Sequence, residues 1–420
     1  MFPTISALRL TSVIFSVTYF ALALGKIPRL QVDRAGIALI GATAMLAAGL
    51  IDLKGAAEAI DLETIALLFG MMVLVAYLQI GGFFQVATQL IVRAKLGSYG
   101  LLAMTMGLSG VLSAFLVNDV VCVALTPLIL DVGRRTRQPL MPHLIGLATA
   151  SNVGSVATIT GNPQNMIIGS LSEITYLRFA SRLAPIAILG LLINFLAVAL
   201  VYRKSLSAAG RPVDESAAQT ADQIEDKKES HPYLLAKGTL VTIGVVALFF
   251  LGSPIATVAI GAAAIMMLST IPPENVYRRV DWPLLVMFLG LFVLVGVFDK
   301  HVVRTWSIED WKVITESPVV ALSGLSVILS NLVSNVPAVL LFKPVIPVTA
   351  NPELAWLALA MSSTFAGNLT VLGSVANLIV VENARREGID VSFVEYLKVG
   401  IPVTLLTVLL GIAWLALTHY

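Results

Sequence analysis

Two apolar runs within residues 99–130 meet at Leu116-Val117-Asn118-Asp119-Val120, and this junction limits the fold more than any other stretch. An amide beside a carboxylate is costly at the centre of a hydrophobic segment, where an ionisable residue marks a functional site by default. The second run, 119–130, is also too short to cross a bilayer, which takes roughly 20 residues as a helix. Two short apolar arms meeting at a polar tip describe a re-entrant hairpin, tolerated at membrane depth only where protein or a water-filled cavity satisfies its backbone. A second tip lies 217 residues downstream, in Val333-Ser334-Asn335-Val336-Pro337. Composition agrees: 57% of residues are hydrophobic and 12% charged, with a mean hydropathy of +0.90. So little polar surface excludes a water-soluble globule.

Apolar stretches near 4–24, 35–52, 62–80, 143–171 and 182–202 are long enough to span, and the pattern restarts near 236–252, 256–271, 283–298, 354–380 and 399–419. Between the two series, 203–235 turns polar, as in Asp222-Gln223-Ile224-Glu225-Asp226-Lys227-Lys228-Glu229, and reads as a solvated linker. The series align. Gly41 answers Gly261 and Asp61 answers Asp281 at an offset of 220, Asn118 answers Asn335 at 217, and Asn165 answers Asn377 at 212. Five crossings per series put the second copy upside down, the inverted-repeat plan of secondary transporters. The fold expected is therefore an all-α polytopic membrane protein with about ten transmembrane helices and two re-entrant helical hairpins in two inverted repeats. Residues 1–202 form the first repeat with its hairpin near 99–131, 203–235 the linker, and 236–420 the second repeat with its hairpin near 319–346.

Charge placement orients this plan, because cytoplasmic loops carry the Lys and Arg excess. With the linker cytoplasmic, nineteen of the 27 basic residues fall inside, seven outside, and Lys343 within the second hairpin. Both termini then face outward from a cell (inner) membrane, the first hairpin enters from the cytoplasm and the second from outside. Phe83–Ala94 and Arg304–Ile314, just before the hairpins, read as interfacial amphipathic helices. The N-terminal run 4–24 has no cleavage signature and reads as a retained span.

Four polar clusters interrupt apolar context: Asn118-Asp119; Ser151-Asn152 running to Thr160-Gly161-Asn162-Pro163-Gln164-Asn165; Asn331 with Ser334-Asn335; and Thr364 to Asn368, Thr370, Gly373 and Asn377. Gly and Pro break the helical ladder there and free backbone groups to coordinate a cation or cradle an anion. Asn, Ser and Thr add neutral donors and acceptors. Singly, such residues serve helix packing more often than binding; four clusters at symmetric positions point to one transport site. Asn118, Asn165, Asn335 and Asn377 are the candidate sodium ligands. Asp119, the one acidic residue between Glu63 and Asp131, is assigned to coupling by proton or sodium, the only cofactor role foreseen. Lys343 is its counterpart in the other hairpin or snorkels outward.

Other classes find little support. His143, His231, His301 and His419 lie at span ends or in loops and suggest no metal site, His143 being assigned to interface packing. Cys122 stands alone, excluding an internal disulfide. No Walker loop or hydrolytic nucleophile motif occurs, so an enzyme is not expected. A net charge of +2, with the basic residues in short loops, argues against nucleic acid as a partner.

Leu116-Val117-Asn118-Asp119 with Leu125-Thr126-Pro127, Gly161-Asn162-Pro163-Gln164-Asn165, Ser334-Asn335-Val336-Pro337 and Gly373-Ser374-Val375-Ala376-Asn377-Leu378 resemble the ion transporter superfamily. They are most similar to the branch of arsenite efflux permeases, sodium/proton antiporters of the NhaD type and anion permeases. The dicarboxylate branch usually shows Ser-Asn-Thr at both tips, where this chain has Val-Asn-Asp and Ser-Asn-Val. The resemblance implies a homodimer of protomers, each with a scaffold domain and a mobile transport domain holding both hairpins. Besides the bilayer and a small inorganic solute, it admits an ATPase subunit of the kind some arsenite pumps carry. The leading function is proton- or sodium-driven export of arsenite or antimonite, since neutral As(OH)3 suits amides and hydroxyls. The alternatives are a sodium/proton antiporter and an anion or carboxylate symporter, for which a fixed positive charge is wanted and only Lys343 is near. Cys122, one helical turn from Asn118, is assigned to packing.

Overall fold

The computed structural model describes residues 5–25, 31–94, 96–208, 231–306 and 312–418. Most of the linker, 209–230, lies outside the described residues, as do Ser307–Trp311 of the second interfacial stretch.

The described chain is helical, in two series of the same order. The first runs α1 (Ile5–Leu24), α2 (Arg34–Ala47), α3 (Leu53–Ala59), α4 (Leu62–Gly81), α5 (Phe83–Arg93), α6 (Ser98–Phe115), α7 (Asn118–Arg135), α8 (Leu140–Ser155), α9 (Pro163–Leu171) and α10 (Tyr176–Val201), with α11 (Arg203–Ala208) opening the linker. The second runs α12 (Pro232–Phe250), α13 (Ile255–Met267), α14 (Pro273–Tyr277), α15 (Trp282–His301), α16 (Lys312–Glu316), α17 (Pro318–Val333), α18 (Asn335–Phe342), α19 (Pro352–Ala366), α20 (Val375–Arg386) and α21 (Phe393–Leu417). Seven of these, α1, α4, α6, α10, α12, α15 and α21, are long and apolar enough to cross a membrane.

Local chemistry sets the boundaries. Asp33, Asp52, Asp61 and Asp281 cap α2, α3, α4 and α15 by accepting from N–H groups of the first turn. The expected spans at 143–171 and 354–380 are not continuous. Each divides into a helix, a short 3-10 turn (Ile159–Gly161 and Val371–Gly373) and a second helix. Gly161 and Pro163 explain the first division, because Pro fits the first turn of a new helix and cannot extend an old one. The second arm of the first hairpin is longer than expected, with Pro127 accommodated inside α7. That of the second, α18, has only 8 residues.

Packing crosses between the series. α2 lies on α15 and α4 on α13, at contacts that need glycine. A Cβ on Gly70 would meet the Ala259 backbone, and one on Gly290 the Ala38 backbone. α6 packs on α8, α17 on α19, and α10 on α21. Val13, Val17, Phe20 and Leu24 of α1, and Ile188, Leu192, Leu196 and Leu200 of α10, are exposed at helical spacing. Such apolar stripes belong against lipid. Loop ends expected on one side are joined to each other: Asp61 accepts from Ser170 (2.8 Å), Arg178 pairs with Glu353 (2.8 Å), and Arg134 pairs with Glu387 (2.8 Å).

Candidate functional site

The helix breaks are stitched by the same device twice. Asn165 Nδ2 donates to the carbonyls of Ser155 and Thr158, both at 3.1 Å, and Asn377 Nδ2 donates to those of Gly367 (2.7 Å) and Thr370 (3.1 Å). Each amide satisfies carbonyls that its own break has freed from the helical ladder. Asn162 Oδ1 and Ser374 Oγ then cap the following helices. Gly161 is compulsory, since a Cβ there would strike the Ser155 carbonyl.

Between the breaks lies Asn152 of α8, fully buried, with every hydrogen-bonding position taken. Its Oδ1 accepts from Asn118 Nδ2 at the first hairpin tip (3.0 Å) and from Ser374 Oγ (3.0 Å). Its Nδ2 donates to Asn368 Oδ1 (2.9 Å) and Asn377 Oδ1 (3.0 Å). Asn368 in turn donates to the Thr149 carbonyl (3.2 Å). One amide therefore ties the first tip to the second-series break.

The position corresponding to Asn152 in the second series is Thr364, at the offset of 212 that relates Asn165 to Asn377. Its hydroxyl accepts from Asn162 Nδ2 (3.2 Å) and Gln164 Nε2 (3.1 Å). Asn335, at the second tip, is oriented so that its amide nitrogen donates to the carbonyls of Ser363 (3.1 Å) and Gly373 (3.3 Å). Two cross-connected polar clusters result, the first joined through an amide and the second through a hydroxyl. Asn118 Oδ1 and Asn165 Oδ1 are buried without a hydrogen-bond partner among the described residues. Both are carbonyl-type oxygens with the lone pairs a hard cation takes.

Asp119 stands beside the first cluster. Its carboxylate lies near the backbone N–H of Ala376, which donates to Ser374 Oγ (3.2 Å). The Ala376 contact seats the carboxylate in the first turn of α20, where the helix dipole favours an anion. Cys122 Sγ, fully buried, donates to Ser151 Oγ (3.1 Å), and Ser151 donates to the Ala148 carbonyl (2.8 Å).

Not every expected residue joins the clusters. The Thr160 hydroxyl faces Tyr176 (2.9 Å), whose ring packs against Phe249 and Phe250 of α12. Thr370 donates to Asn331 Oδ1 (3.2 Å), closing the second hairpin on its own break. Ser334 bonds through no capping side chain and holds φ 79° and ψ 159°, a region costly for any residue but glycine. Conversely, Gln164, Thr364 and Ser374 are central although they were not singled out within their motifs. Only their partners in the other series mark them.

Buried amides bridging two broken helices, a carboxylate at a hairpin tip and lipid-facing stripes define a membrane transporter. Residues 18–366 match the model of the CitMHS citrate transporter family, and the chain belongs to that family. It is 31% identical to a silicon efflux transporter of Oryza sativa subsp. japonica, covering 96% of each chain. It is also 28% identical to a putative transporter, arsB, of Dictyostelium discoideum, over 91% of this chain and 87% of the relative. Among solved structures, MtrF of Neisseria gonorrhoeae shares the fold at a TM-score of 0.60 and 11% identity, covering 100% of this chain and 95% of the other. The Alcanivorax borkumensis YdaH transporter does so at 0.58 and 15%, covering 98% of both. Family and relatives are transporters, not enzymes.

Proposed function

We propose that the chain is a secondary exporter of a small neutral metalloid hydroxide, arsenite or antimonite, driven by a proton or sodium gradient through Asp119. The carrying observation is the Asn118–Asn152–Asn368–Asn377 network, which offers amide and hydroxyl groups and no fixed cation. Such a set matches As(OH)3, whose three hydroxyls both donate and accept. The rice relative is named a silicon efflux transporter, and silicon dissolved in water is a neutral hydroxide too. Citrate, named in the family description, carries several negative charges and calls for arginine or lysine. Lys343 sits at the far end of α18 from the tip.

Because Asn152 is saturated, a solute enters by replacing the Asn118–Asn152 bond with its own hydroxyls. The first tip therefore opens on loading and closes on release. The charge of Asp119, next in sequence to Asn118, couples that motion to the gradient. The two unpartnered oxygens, Asn118 Oδ1 and Asn165 Oδ1, favour a second reading in which sodium occupies the clusters and protons exchange against it. The orientation with 203–235 cytoplasmic, two inverted repeats and a homodimer complete the proposal.

Inverted membrane vesicles decide between these. Arsenite uptake that follows an imposed gradient and disappears in Asp119→Asn is the expected result. Sodium-dependent proton movement without arsenite uptake replaces it with the antiporter, and arsenite uptake indifferent to Asp119→Asn overturns the coupling assignment.

A further inference from the structure

The α6, α8 and α10 interface contains three buried polar side chains that the clusters above do not use. His143 has no hydrogen-bond partner on either ring nitrogen among the described residues, Asn194 none on either amide atom, and Thr105 none on its hydroxyl. All three are at most 1% exposed. Buried polar atoms are almost always satisfied by protein or ordered water, and five orphans in one interface demand an explanation.

Register places them together. Gly146 of α8 packs on Leu102 and Met106 of α6, and Ser109 of α6 donates to the Leu147 carbonyl (3.0 Å). His143 is three and four residues before these contacts, hence on the face of α8 that meets α6. Thr105 lies between Leu102 and Ser109 on the matching face of α6. On α10, Gly190 meets Val153 of α8 and Leu191 meets Gly110 of α6. Asn194, one turn further, therefore projects between the two helices.

The second series supplies a control within the same molecule. The tips Asn118 and Asn335, the helix starts Leu140 and Pro352, and the internal prolines Pro185 and Pro402 fix the alignment. His143 then corresponds to Ala355, Thr105 to Leu322, and Asn194 to Gly411. Gly411 is covered by the side chain of Met361, whose own counterpart is Thr149. The second-series interface has unpartnered hydroxyls of its own among the described residues, on Ser323, Ser326 and Ser330 of α17, so the α6, α8 and α10 interface is set apart by the His143 imidazole, the Asn194 amide and the short Thr149, where the other has Ala355, Gly411 and Met361. Thr149 also leads to the site, because its carbonyl accepts from Asn368.

We propose that this interface holds a chain of bound water that carries protons between the membrane face at the start of α8 and the Asn118-Asp119 tip, with His143 as its relay. The neutral imidazole accepts a proton from water on one nitrogen and releases one to water from the other, so no net charge stays in the seam. Asn194 and Thr105 hold the intervening waters. α6 presents no charged residue to His143 between Ser98 and Phe115. On the other elements packed on α8, the charged groups at this end are occupied: Asp131 with Arg135 and Arg134 with Glu387 at α7, Glu382 with Arg385 and Arg386 on α20, and Glu395 with Lys398 and Tyr202 at α21. Arg178 of α10 and Glu353 of α19 pair at the opposite end, and Arg182 of α10 donates there to the Thr418 carbonyl. The inference rests on the proton-coupled form of the function proposed above.

Two measurements on the full chain test it. Radiolytic hydroxyl labelling in proteoliposomes, which marks side chains beside bound water even in the interior, is expected to modify Met106 at least fivefold faster than Met361, both being buried. The difference is lost in the double variant Asn194→Gly, Thr149→Met, which copies the Gly411–Met361 packing. Equal labelling in the wild type overturns the hydrated seam. In inverted vesicles, His143→Gln is expected to slow proton-driven arsenite uptake about tenfold and to leave arsenite counterflow within twofold. Proton-driven uptake indifferent to His143→Gln overturns the relay alone. A wild type without proton-linked flux overturns the coupling, and the relay with it, while Met106 labelling still reports the water.

Discussion

The two hairpins reach their clusters with different means. The first ends in Asn118-Asp119, bonded to an amide hub that uses all four of its hydrogen-bonding positions. The second ends in Ser334-Asn335-Val336, has no carboxylate, and meets a break whose hub is the single hydroxyl of Thr364. The first tip therefore carries a carboxylate and is tied to its hub by one amide bond, whereas the second is neutral and is tied to its break by Asn335 and Asn331. In the function proposed above, that difference in side chain would give only the first tip a response to a gradient.

The sharpest way to break that comparison is to remove the charge. Asp119→Asn is expected to lower gradient-driven flux at least 100-fold, about 2.7 kcal/mol in the transport barrier. Val336→Ala, at the corresponding place in the second tip, should stay within threefold. Equal losses would show that both tips carry the coupling.

Next come the hubs. Asn152→Ala strands Asn118 Nδ2, Ser374 Oγ, Asn368 Oδ1 and Asn377 Oδ1. At about 1–3 kcal/mol for each buried group not otherwise satisfied, a net loss of about 3–4 kcal/mol is expected. Thr364→Ala removes one acceptor, while Asn162 keeps its bond to Ser155 Oγ (2.9 Å), so about 1–2 kcal/mol is expected. Thermal melting of the purified variants in detergent checks the order. Where the series match, the effects should match too: Gly70→Ala and Gly290→Ala each push a methyl into a facing backbone, at about 1–3 kcal/mol. A difference between them above about 1 kcal/mol would disprove equivalence of the crossed contacts.

How much of this was legible in sequence follows from what sequence encodes. Apolar length and polar interruption mark spans and tips, so Asn118 and Asn335 stand out. The drifting offsets, 220, 217 and 212, pair the landmarks. The spans expected at 143–171 and 354–380 looked continuous because the breaks are short and their flanks apolar. What hydropathy does not carry is direction. Thr160 and Asn162 belong to one motif, yet one hydroxyl faces Tyr176 and one amide faces Thr364. A single amide such as Asn194 inside an apolar span looks like helix packing, and His143 at a span end looks like an interface residue. Their significance lies in lacking partners, which only three-dimensional neighbours reveal.

The smallest effect sharpens the comparison at the tips themselves. Val117, at the first tip, sits at φ −50° and ψ 121°, which any residue adopts. Ser334, at the second, holds φ 79° with ψ 159°, where an L side chain costs about 1–3 kcal/mol. Ser334→Gly relieves that strain but loosens the unfolded chain by about 0.5–1 kcal/mol. The net expectation is a gain of about 1 kcal/mol, read as a rise in the melting midpoint. Val117→Gly has no strain to relieve and also deletes a buried side chain, so it should lower the midpoint by more than Ser334→Gly raises it. If Ser334→Gly instead destabilises, the second tip owes its shape to contacts of the serine, and its turn is a binding element rather than a strained connection.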